Sequence, residues 1–353
     1  MTLRRFILFS ILVITGFLPL RGQLSGIYTI GGSPGTRNFS SWSVFADTWN
    51  KQGVANQVTV RVLKNDTINS AIQLYQHSTS PTQKGRELTI LGNGFHLVGN
   101  FKREVLHLNG IDHVHLKNLV IENSFTQSSL LGIRFSNGAD SNRVDSCSVV
   151  FSKLVQFRND TGAYIAFTAD TGRITRQTSK HAGTGNVIVN NKLYCSLSRS
   201  PGPFYGIYDQ QGSTDYTTIS THNRIDSNLI STFYSVGIYM RYINGELCRN
   251  NTITRGNCSS SSNTDTTLIG IFCLDGRSDD QAIEIKGNQI EHLPYKNASL
   301  NGAIDFIWNL YGINAWKLSG GGKRTVIIED NRLSDFTYFS RFHGILSQYG
   351  EQI

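Results

Sequence analysis

One short phrase recurs along this chain: an apolar residue, two spacers, an asparagine, one spacer and a second apolar residue. It reads Ile188-Val189-Asn190-Asn191-Lys192-Leu193, and returns around Asn228, Asn251, Asn288 and Asn331. Val144-Asp145-Ser146-Cys147-Ser148-Val149 keeps both apolar positions with cysteine in the asparagine place, and a weaker copy keeps Asn118 and Val120 but begins at His115. Anchors taken at Asn118, Cys147, Asn191, Asn228, Asn251, Asn288 and Asn331 lie 29, 44, 37, 23, 37 and 43 residues apart. A fixed phrase at irregular intervals predicts a solenoid whose core strands are constant and whose loops vary.

Asparagine suits a corner for two reasons. It tolerates the left-handed backbone of a sharp turn, and its amide can bond to the neighbouring coil, so that a stack of such residues forms a ladder. The flanking apolar residues then point inward from two strands. A second phrase, Gly-Ile followed by a short strand, stands at Gly132, Gly206, Gly237, Gly270, Gly312 and Gly344, and from Asn118 onward it is expected to alternate with the first. The fold class this predicts is all-β, a right-handed parallel β-helix, the hand following from the usual crossover of parallel strands.

Residues 1–23 have a basic start, an apolar run from Phe6 to Leu18 and a Pro19 breaker, which predicts a secretory signal peptide and a secreted or cell-surface protein with no membrane span after its removal. Residues 24–57 are expected to cap the solenoid. There Trp42, Phe45, Ala46 and Trp49 fall on one face of a helix, with Ser40 or Ser41 as N-cap and Gly53 as stop. The β-helix then runs over 58–353. A second short helix is expected through Ile72, Leu74 and Tyr75, one strand from Val114 to Ile121, and an inserted strand pair or loop between Phe151 and Gly185.

The opening Ser25-Gly26-Ile27-Tyr28-Thr29-Ile30-Gly31-Gly32, the helix and Val58-Thr59-Val60 resemble the start of secreted right-handed parallel β-helix proteins common in Bacteroidetes. The Asn-x-Ile repeats are similar to the pectin-lyase-like superfamily. Many such proteins end in a sorting domain, whereas this chain stops at Gly350-Glu351-Gln352-Ile353, which predicts that it is incomplete at its C-terminus.

The resemblance implies either polysaccharide chemistry or glycan binding. Polygalacturonase-like sites pair carboxylates across the glycosidic bond. Asp279-Asp280 is a paired carboxylate, in a loop where a solvated turn is the plainer role. A lyase would need a basic residue and a calcium site, and Asp209 with Arg241 are the candidates, although alternation turns them to opposite faces. No metal-ligand spacing is present, and no other cofactor is implied.

With Ile207, Ile238, Ile271, Ile313 and Ile345 inward, Tyr208, Tyr239, Phe272, Asn314 and Leu346 form one outward row, and Gln210, Arg241, Leu274, Trp316 and Gln348 a second. Tyr208, Tyr239, Arg241 and Trp316 are therefore the candidate carbohydrate-binding residues. The charge of +8 favours an acidic polysaccharide or cell-surface glycan as partner. Scattered basic residues without a recognition motif speak against nucleic acid. A monomeric, non-catalytic binding module is the favoured reading, and a polysaccharide lyase or glycoside hydrolase the alternative. The five cysteines read as buried small hydrophobes, with Cys147 and Cys248 at ladder positions.

Overall fold

Successive coils each contribute one strand to each of three parallel sheets, so that the apolar residues of every strand meet those of the other two at the centre. The computed structural model describes residues 23–78, 81–126, 130–153, 162–168, 183–197, 202–210, 220–255, 267–276, 281–291, 309–316, 326–334 and 342–348. Among them the three sheets hold eleven, nine and nine strands, and neighbours within a sheet come from successive coils. The molecule is a right-handed parallel β-helix. The signal-peptide region, Asp279, Asp280 and Cys258 lie outside the described residues.

The N-terminal helix spans Trp42–Gln52. Of the two expected caps, Ser41 serves: its Oγ accepts the Val44 N–H, and Gly53 at φ 64° ends the helix. Trp42, Phe45, Ala46 and Trp49 are buried against the core. Asn50 reaches the exposed edge of the third sheet, donating to the Gln73 carbonyl at 2.9 Å and accepting the Tyr75 N–H at 2.9 Å. This satisfies strand-edge groups that would otherwise invite another chain. Ile72–Tyr75 is a strand paired with Glu104–Asn109, not the helix its Ile, Leu and Tyr spacing suggested. Pairing with the next coil overrides so short a pattern.

From Lys117 onward the first and second sheets are joined by two residues in every coil: 118–119, 146–147, 190–191, 227–228, 250–251, 287–288 and 330–331. The two roles given above to one asparagine are divided between these two residues. The first takes the left-handed conformation, as in Ser146 (φ 54°), Asn190 (58°), Ser227 (56°), Asn250 (53°) and Asp330 (55°). The second forms the ladder: each Oδ1 accepts the backbone N–H of the ladder residue one coil earlier, at 3.0 Å for the Asn191, Asn228 and Asn251 donors. Each Nδ2 donates to a backbone carbonyl of that coil, as Asn251 does to Ile225 at 3.0 Å.

This register corrects two expectations. Asn118 has φ 50° and is the turn residue, so Leu119, which is buried, holds the ladder place; the run from Val114 to Ile121 is accordingly two strands with a corner between them. Cys147 is in the ladder, with its N–H donating to Asn191, but Cys248 pairs in register with Ile225 and Ile285 in the inward apolar row. Cys147, Cys195, Cys248 and Cys273 are free and buried, and burial pushes the Cys147 thiol up to about 11. They act as small hydrophobes.

A second asparagine row stands five residues before the first, where the third sheet turns back into the first. Asn142 Oδ1 accepts the Val114 N–H, Asn186 Oδ1 that of Asn142, and Asn223 Oδ1 that of Asn186, at 2.8, 2.9 and 2.8 Å. By strand register the next member is Glu246 and the one after it Ile283. Burial, then the nearby Asp209, push the Glu246 carboxyl well above the carboxylate range, opposed only by the Asn223 N–H.

A carboxyl kept neutral in the folded state binds its proton more tightly there than in the unfolded chain. Its contribution is fully present below about pH 4.3, the ordinary glutamate value, and is lost as pH rises from there toward the raised folded value. Wild-type stability should fall over that range by up to about 1.4 kcal/mol per pH unit relative to Glu246→Gln. Thermal melting of both proteins at pH 4.5 and 8 checks this; parallel pH slopes would show that Glu246 is ionised in the fold.

Candidate functional site

The distribution of loop length singles out one face. Connections from the second to the third sheet run from three residues (69–71) to seventeen (292–308). Those from the third back to the first run from four (110–113) to eighteen (169–186). The remaining corner has three and four residues in the first two coils (63–65 and 92–95) and two in each coil thereafter, so the irregular spacing seen in the sequence from Asn118 onward falls on the two borders of the third sheet.

Strands of that sheet bend inward at the Gly-Ile phrase. A Cβ on Gly132 would lie 2.2 Å from Val149 Cγ1, one on Gly206 2.4 Å from the Gly237 carbonyl, and one on Gly237 2.5 Å from Ile253 Cγ2. Glycine and isoleucine therefore both face the core. Between Cys147 and Asn191 no Gly-Ile occurs, and the expected alternation fails there. Tyr164-Ile165 takes the place, with the Tyr164 hydroxyl donating to the Thr232 carbonyl at 3.0 Å. The strand Ala163–Thr168 belongs to an ordinary coil rather than to an insertion.

Because of the bend, the residue before the glycine and the residue after the isoleucine share the outer face. Three outward rows result. The first contains Glu104, Leu131, Ala163, Tyr205, Val236 and Ile269. The second contains His107, Arg134, Ala166, Tyr208, Tyr239, Phe272 and, by backbone register, Asn314 and Leu346. The third contains Asn109, Ser136, Thr168, Gln210, Arg241, Leu274 and, by backbone register, Trp316 and Gln348.

The aromatic row stands in the expected register, but Tyr208 and Tyr239 are only 3% and 9% exposed. Their rings stack on each other at 5.1 Å and 9°, with Phe272 tilted 5.3 Å beyond Tyr239. The π-faces of these two tyrosines are thus turned along the coil axis. Burial raises the Tyr239 hydroxyl, with Arg241 working against it. Arg241 is half-buried, lies 4.4 Å over the Tyr242 ring and bonds Asp275 at 3.2 Å. The Tyr208 hydroxyl donates to Gln210.

Asp209 points into the core, 0% exposed, in register between Phe167 and Met240. The structure therefore does not bring it together with Arg241, in agreement with the alternation in the sequence.

At the N-terminal end of the same face lies a polar cluster that the sequence reading did not assemble. His107 Nε2 is 2.7 Å from Ser136 Oγ, and His107 Nδ1 is 3.3 Å from Glu104 Oε1 but bent away from hydrogen-bond alignment. Arg134 Nε donates to Thr168 Oγ1 at 2.9 Å. Glu104, His107, Arg134, Ser136 and Thr168 are all buried. Burial alone would raise the Glu104 carboxyl, but the adjacent His107, the backbone N–H of Glu104 and Arg134 outweigh it and hold the group below its usual range. Burial lowers His107, with Glu104 opposing and Arg134 and Arg103 adding to the fall. The signal was available in Glu104-Val105-Leu106-His107-Leu108-Asn109 and Leu131-Gly132-Ile133-Arg134-Phe135-Ser136, once the outward rows are continued back past Ile207.

Among the described residues, no helix is long and apolar enough to cross a membrane. No protein-family profile matches the chain, and no curated protein matches it. Among solved structures it is similar to a GH136 lacto-N-biosidase from Eubacterium ramulus (10% identity, TM-score 0.48, covering 92% of this chain and 67% of that one). It is also similar to an alginate lyase from Paenibacillus (11%, TM-score 0.41, 87% and 99%). A third likeness is to the surface protein and adhesin PfbA of Streptococcus pneumoniae (10%, TM-score 0.42, 88% and 92%). At such identities the likeness carries no chemistry, and what the outer face does rests on its own side chains.

Proposed function

We propose that this protein binds an acidic polysaccharide along the outer face of its third sheet. The observation that carries the reading is the confinement of length variation to the two borders of that sheet from Lys117 onward, where the opposite corner keeps two residues per coil. A rigid frame with variable connections around one face is how loop-borne recognition is built. Along that face run Gln210 and half-buried Arg241, with Trp316 in the same row by register. Without Arg4, Arg5 and Arg21 of the leader the net charge of +8 becomes +5, and this positive excess draws anionic chains. Coils about 4.8 Å apart place successive side chains at roughly the repeat of a sugar ring. Export to the cell surface or medium accords with the leader sequence.

A titration of the purified chain with polygalacturonate and alginate tests this. Arg241→Ala should weaken binding by about tenfold, the equivalent of 1.4 kcal/mol. Trp316→Ala is expected to do the same, and Tyr239→Ala to weaken binding by collapsing the aromatic row beneath. No binding to either polymer, or affinities unchanged in all three variants, would reject the reading. New reducing ends or unsaturated uronate in the same mixtures would instead establish a hydrolase or lyase.

A further inference from the structure

We infer that Ser136, His107 and Glu104 form a nucleophile, base and positioning residue that remove O-acyl groups from a bound glycan. A serine hydroxyl is activated by an imidazole within hydrogen-bond reach that is itself oriented by a third group, and the arrangement is recognised by geometry rather than by order in the chain. Here the serine-to-imidazole contact is 2.7 Å, and the carboxylate stands at the other ring nitrogen, 3.3 Å away. Such contacts are often long or misaligned before substrate binds and tighten around it.

A fourth group completes the arrangement. Asn109 pairs in register with Ser136 from the preceding coil and its Oδ1 accepts from Asn137, so its Nδ2 is the donor assigned to the developing oxyanion. Side-chain amides stabilise developing oxyanions in this way. Arg134, the adjacent outward residue of the same strand, adds positive charge. Ser136, His107 and Glu104 are buried, whereas the neighbouring Arg103 is exposed and Asn109 half-buried, so a substrate would approach the cluster past these two.

In the first step Ser136 Oγ attacks the ester carbonyl carbon and its proton passes to His107 Nε2. The carbon–oxygen bond to the sugar then breaks, and the departing sugar oxygen takes that proton as a hydroxyl. Water repeats the sequence on the acyl-serine, giving up a proton to His107, and the free acid leaves as Ser136 recovers its own. Water is the only co-reactant.

The assignment of a glycan ester rests on the binding reading above, whereas the three-residue constellation does not, and the test separates the two. The purified chain is treated with a fluorophosphonate and its peptides mapped by mass. In that reaction Ser136 Oγ bonds to phosphorus, fluoride leaves and His107 takes the proton. Turnover of 4-nitrophenyl acetate and acetate release from acetylated polygalacturonate are measured alongside. An adduct at Ser136 is expected, absent in Ser136→Ala and slowed about a thousandfold or more in His107→Ala.

Asn109→Ala should lower ester turnover by about tenfold to a hundredfold while labelling continues. Glu104→Gln should slow labelling and change its pH dependence, and Glu104→Asp should restore part of both, which a packing role would not produce. His107 is faced there by Glu104, Arg103 and Arg134, whose charges set that pH dependence. No adduct at Ser136, or acetate release undiminished in Ser136→Ala, overturns the assignment. If Ser136→Ala still binds polygalacturonate in that case, the binding reading stands without it. Labelling and 4-nitrophenyl acetate turnover without polysaccharide binding would keep the constellation and overturn the glycan ester as its substrate.

Discussion

Asn251→Ala should lower the stability of the chain by about 2–6 kcal/mol, the sum of two buried polar groups stranded at about 1–3 kcal/mol each. Its Oδ1 accepts from both the backbone N–H and the Nδ2 of Asn228, each at 3.0 Å. Its Nδ2 donates to the Ile225 carbonyl and to Asn288 Oδ1, again at 3.0 Å. Alanine removes all four bonds and leaves the Asn228 N–H and the Ile225 carbonyl inside the molecule, where water does not replace them. The neighbouring Asn250 is the control: at φ 53° it is a turn residue, exposed, and Asn250→Gly should be close to neutral because glycine accepts that conformation freely. Urea midpoints followed by circular dichroism decide the matter. A loss below 1 kcal/mol for Asn251→Ala would mean that the ladder is ornament rather than support.

The second large effect belongs to Gly237→Val. A Cβ there would lie 2.5 Å from Ile253 Cγ2 and 2.6 Å from the Gly270 carbonyl, one of them backbone of the next coil. Valine adds two further methyl groups to the same space. The third sheet must then shift away from its neighbour, so the cost should reach or exceed the roughly 3 kcal/mol upper range of ordinary overpacking. Val105 and Tyr164 occupy the equivalent place in other coils, which shows that the demand for glycine is local. Soluble yield and urea midpoint both report the effect, and a Gly237→Val protein that unfolds at the wild-type midpoint would refute the close-packing argument.

Most of the architecture is legible in the sequence because two residues per coil carry it. An asparagine that must bond the coil before it, and a glycine or its substitute at an inward bend, recur wherever the three-sided path turns. The error at Asn118 arose because the turn residue and the ladder residue are adjacent and both favour asparagine. Only register shows that Leu119 occupies the second place. The row of Asn142, Asn186 and Asn223 escaped notice because no flanking apolar pattern frames it. The cluster of Glu104, His107 and Ser136 was hidden for a different reason. The inward bend puts residues three apart on one face, which strict alternation assigns to opposite faces. Asp209 was the reverse case, since a core-facing carboxylate cannot be told from a surface one until its neighbours are known to be Phe167 and Met240.

The ladder amides are all oriented alike, each oxygen toward the coil before and each donating nitrogen shared between that coil and the one after. Like the peptides of an α-helix, dipoles aligned head to tail reinforce one another, and each bond polarises the next. The stack therefore behaves as a single polarised filament threaded along one corner of the solenoid, with Cys147 able only to donate its N–H at the first end and Asn331 at the other. Cooperativity of this kind is position-dependent. Deleting an amide from the middle breaks the filament into two shorter ones, whereas deleting Asn331 only trims it, so the same substitution is most costly where the chain of polarisation is longest on both sides.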